Sequence, residues 1–253
     1  MSTSERLARA ARKLRAEVAP LRFAEPVTHV YDPLTYAWRG YRAYLNRFGA
    51  SQKRILLLGM NPGPYGMSQT GVPFGEIDFV RRFLGIDVRI DKPTPEHPKR
   101  PIDGFACKRS EVSGARVWGA VERHWKTPEN FFKNHFISNY CPLVFMEESG
   151  RNRTPDKLSA SEREPLYEAC NRHLRAVVRI LEPEWVIGIG GFAARRAEEV
   201  LGDSVRIAPI LHPSPANPRA NRNWVGEVST QWDALGLCSP RRPHGRPAAD
   251  AQS

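Results

Sequence analysis

Four short apolar runs recur along the chain: "RILLLGM" at 54–60, "HFISNYCP" at 135–142, "EWVIGIGG" at 184–191 and "VRIAPILHP" at 205–213. They are almost continuously hydrophobic rather than alternating, the pattern of strands covered on both faces. Helical periods lie between them, notably "EPLYEACNRHLRAVVRILEP" and "GFAARRAEEVLG". Near the N-terminus, "SERLARAARKLRAEVAPL" puts Leu7, Ala10, Ala11, Leu14 and Val18 on one face of an amphipathic helix. Strands alternating with helices predict an α/β fold on a parallel sheet. The connection after the first strand is long and contains "DKPTPEHPKRPIDGF", an extended loop stiffened by proline. The segment "SPRRPHGRPAADAQS", 239–253, reads as a disordered tail behind a single domain at 1–238 that includes the N-terminal helix. No internal repeat is visible.

Ligands of such sheets bind in the crevice beyond the carboxyl ends of the strands. Three unusual segments leave the predicted strands at that end. The first, "GMNPGPYGMSQTGVPFGE", is dense in glycine and proline and nearly free of charge. Gly59, Gly63, Gly66 and Gly71 let the main chain come close to a ligand, and the prolines stiffen what lies between. Alone, Asn-Pro-Gly-Pro is also an ordinary turn, and Phe74 is either core or a platform for a flat ring. The second segment holds Asn139 in an otherwise apolar stretch, so its amide either stitches loops together or faces a ligand. The third, "HPSPANPRANRNW", begins at His212 and carries Ser214, Asn217, Arg219, Asn221, Arg222 and Asn223, all able to bond phosphate oxygens. By itself it reads equally as a polar loop behind a structural histidine.

Charge sharpens the picture. The formal net charge of +11 over 253 residues, with arginine well ahead of lysine, points to a polyanionic partner. Cys107, Cys141, Cys170 and Cys238 are scattered with no CxxC pair, which argues against a zinc module or a compact disulfide framework. No run reaches the length of a membrane span, and the N-terminus lacks a signal-peptide core. "GIGGFAARRAEE" falls short of a full GxGxxG and reads as a tight strand-to-helix turn.

Taken together, "GMNPGPYGMSQTGVPFGE", "NYCPLV" and "HPSPANPRANRNW" closely resemble the single-strand-selective monofunctional branch of the uracil-DNA glycosylase superfamily, over about 27–237. The resemblance implies a three-layer α/β/α sandwich around a central four-stranded, mainly parallel sheet. It implies hydrolysis of the N-glycosidic bond of uracil in single- and double-stranded DNA, leaving an abasic site without strand cleavage. By the same resemblance Asn61 positions the attacking water, His212 stabilises the leaving base, Phe74 stacks on it and Asn139 reads its edge. Met60, Gly63 and Met67 complete the pocket. Gly63 leaves room at the ring's fifth position, so 5-hydroxymethyluracil and other deaminated bases join the candidate substrates.

The segment after His212, with Ser214, Asn217, Arg219, Asn221 and Arg222, is the expected DNA contact. Family members often carry arginine directly after "HPSP", where this chain has Ala216. Arg219 and Arg222 are then the remaining cations for a wedge, or activity on duplexes is reduced. No cofactor and no metal are expected. The expected form is a monomer without membrane contact, cytoplasmic and nucleoid-associated in a bacterium or nuclear in a eukaryote. The alternatives are a mismatch-specific or iron–sulfur branch of the same superfamily, or a non-catalytic nucleic-acid binder.

Overall fold

The computed structural model describes residues 1–237; the expected tail at 239–253, like Cys238, lies outside them. In chain order the strands are β1 Val27–Tyr31, β2 Ile55–Gly59, β3 His135–Asn139, β4 Val144–Glu147, β5 Asn152–Arg153, β6 Trp185–Ile189 and β7 Arg206–Ile210. The α-helices are α1 Thr3–Val18, α2 Pro33–Tyr36, α3 Trp38–Phe48, α4 Met67–Thr70, α5 Val112–Trp125, α6 Pro128–Phe132, α7 Ala160–Leu181, α8 Gly191–Leu201 and α9 Pro218–Ala234.

The four apolar runs form one sheet in the order β3-β2-β6-β7, and all three pairings are parallel. Every residue of β2 and β3 is buried, as their unbroken hydrophobicity requires. The strands stop short of the runs that mark them: Met60, residues 140–142 and residues 211–213 are already loop. β2 sits inside the sheet with β3 on one side and β6 on the other, so the chain steps to one side of it for β3 and later crosses to the other side for β6. That reversal opens a crevice at the carboxyl ends.

A second sheet, β1-β4-β5, is antiparallel and is not evident in the hydrophobic pattern. β5 is only two residues long and β1 "VTHVY" buries only its two ends, so neither gives a periodic signal. β4 follows β3 so closely that the two read as one apolar segment.

The larger hydrophobic cluster runs from Leu7 in α1 to Leu237, and a smaller one gathers Tyr31, Tyr36, Ile102, Val144 and Met146. The small residues Ala8 and Ala11, both fully buried, let α1 lie close to α7. A capping box starts α7: the Ser159 side chain receives the third-residue N–H, and Glu162 reaches back to the Ser159 N–H.

Two buried histidines tie stability to pH. His135 Nδ1 donates to the Phe131 carbonyl at 3.0 Å, and His173 lies under α1 with its ring near the Ala10 carbonyl. Burial pushes both imidazoles from the ordinary 6.5 down to about 4. Below pH 6.5 the unfolded chain takes up protons that the folded chain refuses until about pH 4, so stability is lost as pH falls through that window. Denaturant titrations are expected to show a slope of up to about 1.4 kcal/mol per pH unit for each histidine there. His173→Gln is expected to reduce that slope by about one proton.

Candidate active site

The carboxyl ends of β2 and β3 meet at Gly59 and Asn139, which are register partners. A Cβ on Gly59 would lie 2.4 Å from Asn139 Oδ1 and 2.6 Å from the Phe74 ring. Glycine alone lets the amide and the ring close together on the strand end. The ladder continues past the strands, with Tyr140 N–H on the Gly59 carbonyl and Cys141 N–H on the Met60 carbonyl, both at 2.9 Å.

Asn61 then donates its Nδ2 to the Leu143 carbonyl at 3.0 Å and to the Pro62 carbonyl at 3.4 Å. Its donor side is spent on main chain, and Oδ1 has no protein donor among the described residues. The loop beyond is stitched by neutral groups. Ser68 Oγ donates to the Gly63 carbonyl at 2.7 Å. Gln69, fully buried, donates to the Pro64 and Pro101 carbonyls at 3.1 and 3.0 Å and accepts from Asp103 and Gly104 N–H at 3.0 Å each. A loop so poor in charge is therefore rigid because one amide joins it to residues 101–104.

Phe74 has φ of +54°, a left-handed conformation that costs a side-chain-bearing residue about 1–3 kcal/mol. It is held there through its carbonyl, which accepts from Trp118 Nε1 at 3.0 Å and from Glu76 N–H at 2.7 Å. Gly114 of α5 packs so closely on that carbonyl that a Cβ would fall 2.1 Å from the oxygen. The main chain that carries the ring is thus pinned from three sides.

Asn139 is nearly buried, and its Nδ2 donates to Met67 Sδ at 3.4 Å. A thioether accepts but cannot donate, so this contact turns Nδ2 toward Met67 and Oδ1 toward Gly59. His212 Nδ1 accepts the Ser214 N–H at 3.1 Å, which puts the ring proton on Nε2. Burial lowers the imidazole below its ordinary value, so it stays neutral at pH 7. Gly190, at φ +93°, admits the ring: a Cβ there would be 2.9 Å from His212 Cδ2.

Asn61, Phe74, Asn139 and His212 line one cavity of about 300 Å³, together with Met60, Gly63, Met67 and Ser214. That is the small end of the range for ligand sites. The remaining expected DNA-contact residues lie on the neighbouring rim, where most are already engaged within the protein. Asn217 caps α9 by accepting the Arg219 N–H, and Arg219 pairs with Glu227 at 2.8 Å. Asn221 donates to the Pro215 carbonyl and accepts from Arg116, which also grips the Pro213 carbonyl. Arg222 is exposed, as is Ala216 at the loop's turn.

Four lining residues outside the three segments, Glu111, Ser113, Asn152 and Thr154, escape sequence reasoning. Glu111 brings a carboxyl into what the sequence suggests is an uncharged slot. It caps α5 by accepting Ser113 and Gly114 N–H, and burial raises its pKa against those bonds. Asn152 and Thr154 enter from β5 and the residues after it. The "SEVSG" before α5 is a cap-like signal; "RNRTP" carries none.

Residues 46–235 match the family model described as uracil DNA glycosylase superfamily. The chain belongs to the uracil-DNA glycosylase superfamily. It is 45% identical over 228 residues to the single-strand selective monofunctional uracil-DNA glycosylase of Rattus norvegicus, covering 89% of this chain and 82% of that one. The Bos taurus protein of the same name is 44% identical over 228 residues, covering 89% and 84%. These relatives place the chain in the single-strand-selective monofunctional branch. The crystal structure of wild-type Pedobacter heparinus SMUG2 shares the fold at a TM-score of 0.70 and 18% identity, over 93% of this chain and 99% of that one.

In this glycosylase Gly59 carries the closest packing of the site. Gly59→Ala is expected to cost about 1–3 kcal/mol of stability, read by denaturant unfolding, through overpacking. Because Phe74 and Asn139 must move, base release is expected to fall ~100-fold or more, the penalty of an ångström-scale misplacement.

Proposed function

We propose that the protein releases uracil from DNA by hydrolysing the bond between the base and C1′, leaving an abasic site. The observation that carries this reading is the convergence of Asn61, Phe74, Asn139 and His212 on one cavity at the sheet's carboxyl edge. A base stacked in a duplex is out of reach, so the target nucleotide is turned out into the cavity at a cost of a few kcal/mol, less in a single strand.

Phe74 offers its ring to the flat base. Asn139 meets uracil with Nδ2 to O4 and Oδ1 to N3–H, the sense in which Met67 already holds it. Cytosine reverses donor and acceptor on that edge and leaves buried polar groups unpaired, a mismatch worth ~10⁴–10⁵-fold where no repair by rotation is possible. As the C1′–N1 bond stretches, negative charge gathers on the base. In this reading His212, whose Nδ1 accepts the Ser214 N–H and leaves the proton on Nε2, donates to uracil O2. A fixed donor at developing charge contributes about 3–4 kcal/mol in comparable sites.

Asn61 orients water but takes no proton at neutral pH. The Glu111 carboxyl lines the cavity but is engaged by the Ser113 and Gly114 N–H groups, so we read the scheme as dissociative, the sugar becoming cation-like before a weakly activated water adds. Among the described residues the lining holds no lysine, so no amine is available for an imine with the sugar. The basic balance of the chain and the rim after His212 support DNA as the ligand, with single strands the easier substrate because Ala216 offers no long side chain to fill a duplex gap. The room at Gly63 supports acceptance of 5-hydroxymethyluracil.

The direct test is release of free base from oligonucleotides carrying one uracil, single- and double-stranded; DNA binding without base release would leave the protein a binder. His212→Asn is expected to slow single-turnover release ~100-fold or more with DNA affinity little changed. A rate within a few-fold of wild type would remove His212 from the leaving-group role. Asn139→Asp is expected to weaken uracil excision by at least ~10-fold, since a carboxylate cannot donate to O4. Unchanged excision would remove Asn139 as the reader.

A further inference from the structure

On the rim after His212 most polar groups are already spent within the protein, the guanidinium of Arg219 on Glu227 among them. A second group of cations borders the cavity where the glycine–proline loop forms its wall. Pro64 lines the cavity, and the next residue, Tyr65, lines a separate groove of about 310 Å³ together with Lys99, Asp103, Lys108 and Arg109. Cavity and groove meet again at the start of α5, where Glu111 lines the cavity two residues after Arg109. Gly66 brings the two together there, since a Cβ on it would lie 3.1 Å from Glu111 Cγ.

The groove is built as firmly as the cavity. Gln69 ties the glycine–proline loop to the Pro101 carbonyl and to the N–H groups of Asp103 and Gly104. The turn at 97–100 hangs on buried Tyr31, whose hydroxyl accepts the His97 N–H at 2.6 Å and donates to the Arg100 carbonyl at 2.9 Å. Tyr65 gathers two guanidinium groups. Arg109 donates Nη1 to its hydroxyl at 2.7 Å and lies 5.2 Å from the ring centre, and Arg100 lies 5.5 Å from the same ring. None of Lys99, Arg100, Lys108 and Arg109 forms an ion pair among the described residues, although Asp103 lines the groove. Four positive charges without carboxylate partners, beside a cleft, draw in a polyanion. Forked guanidinium groups suit phosphate oxygens in particular.

We infer that this groove is a track for the DNA strand flanking the flipped-out nucleotide, with its phosphates on Lys99, Arg100, Lys108 and Arg109. This rests on reading the cavity as a uracil-excising site. A strand whose base enters the cavity must leave over its rim, and the groove opens one residue from the lining. Tyr65 is a positioning residue that holds Arg100 and Arg109 ready for phosphate. The track meets backbone only, so it confers no preference for sequence or lesion. It touches neither the base nor C1′, and it therefore acts on affinity and leaves the chemical step alone.

The test uses the full-length protein and single-stranded oligonucleotides with one uracil placed centrally, at the 5′ end or at the 3′ end. Uracil release by the wild type is the arm that stands for the parent reading. Lys108→Gln/Arg109→Gln is expected to weaken binding of the central-uracil strand ~10-fold near ~0.1 M salt, and to flatten the plot of log affinity against log salt by ~1.4, at ~0.7 per cation. The single-turnover rate at saturating protein is expected to stay close to wild type. With uracil at one of the two ends no strand enters the groove, so the loss is expected to vanish for that end alone. Arg9→Gln/Lys13→Gln removes the same charge from α1, whose residues line neither cavity nor groove, and is expected to change affinity little. An unchanged salt slope, a loss of the same size for both end-placed uracils, or an equal loss in the α1 variant would overturn the inference. A slower saturating rate with unchanged affinity would overturn it as well.

Discussion

The site depends on an absence of atoms at one position. Where β2 ends, Gly59 has only hydrogen on the face that a Cβ would occupy, and Asn139 and Phe74 both close into that space. The parallel register that makes Gly59 and Asn139 partners is fixed by five consecutive buried positions on each strand, so the amide's place is set by the core of the sheet. Phe74 comes from the other direction, held in a left-handed conformation by Trp118 and the closeness of Gly114. A ring and an amide from distant parts of the chain thereby share one wall of a small cavity.

Most of the groups in that cavity are neutral, and that suits the chemistry. In the proposed reaction the charge that develops is transient, negative on the base and positive on the sugar, and fixed dipoles would answer it without reorganising. Three of its polar side chains have one end tied to the protein and one end left over. Asn61 spends its Nδ2 on Leu143, His212 spends Nδ1 on Ser214, and Asn139 spends one N–H on Met67. Orientation is settled before substrate arrives, and that is where the catalytic advantage of such groups resides. Glu111 departs from the pattern, but its carboxylate is engaged by two main-chain N–H groups at the start of α5.

The parts legible in the sequence were those with a strong local signature. Unbroken apolar runs revealed the four parallel strands, and helical spacing of leucine and alanine revealed α1. The glycine–proline loop, Asn139 and His212 could be read as one site because each follows a strand at the same edge. The antiparallel sheet was hidden because β5 is too short to have a period and β4 merges with the run before it. Asn152 and Glu111 were hidden for a related reason: their place in the cavity comes from tertiary pairing and from helix capping, neither of which marks a residue as facing a ligand. Nor could the sequence say that Asn217, Arg219 and Asn221 spend their polar groups inside the protein, since that follows from the turn at Pro215 and from the reach of Arg116.

The bond from the Ser214 N–H to His212 Nδ1 joins two surfaces usually treated apart. One belongs to the polar strap after β7, the other to a ring that lines the cavity. Because main chain from the strap decides which nitrogen carries hydrogen, the strap's shape and the proton's address are a single mechanical variable. A strand seated so that the strap keeps its turn meets a donor at Nε2; a strand that pried the strap loose would meet a ring free to present a bare nitrogen instead. If the strap grips DNA as proposed, grip and chemistry are coupled through one main-chain amide, with no moving domain required.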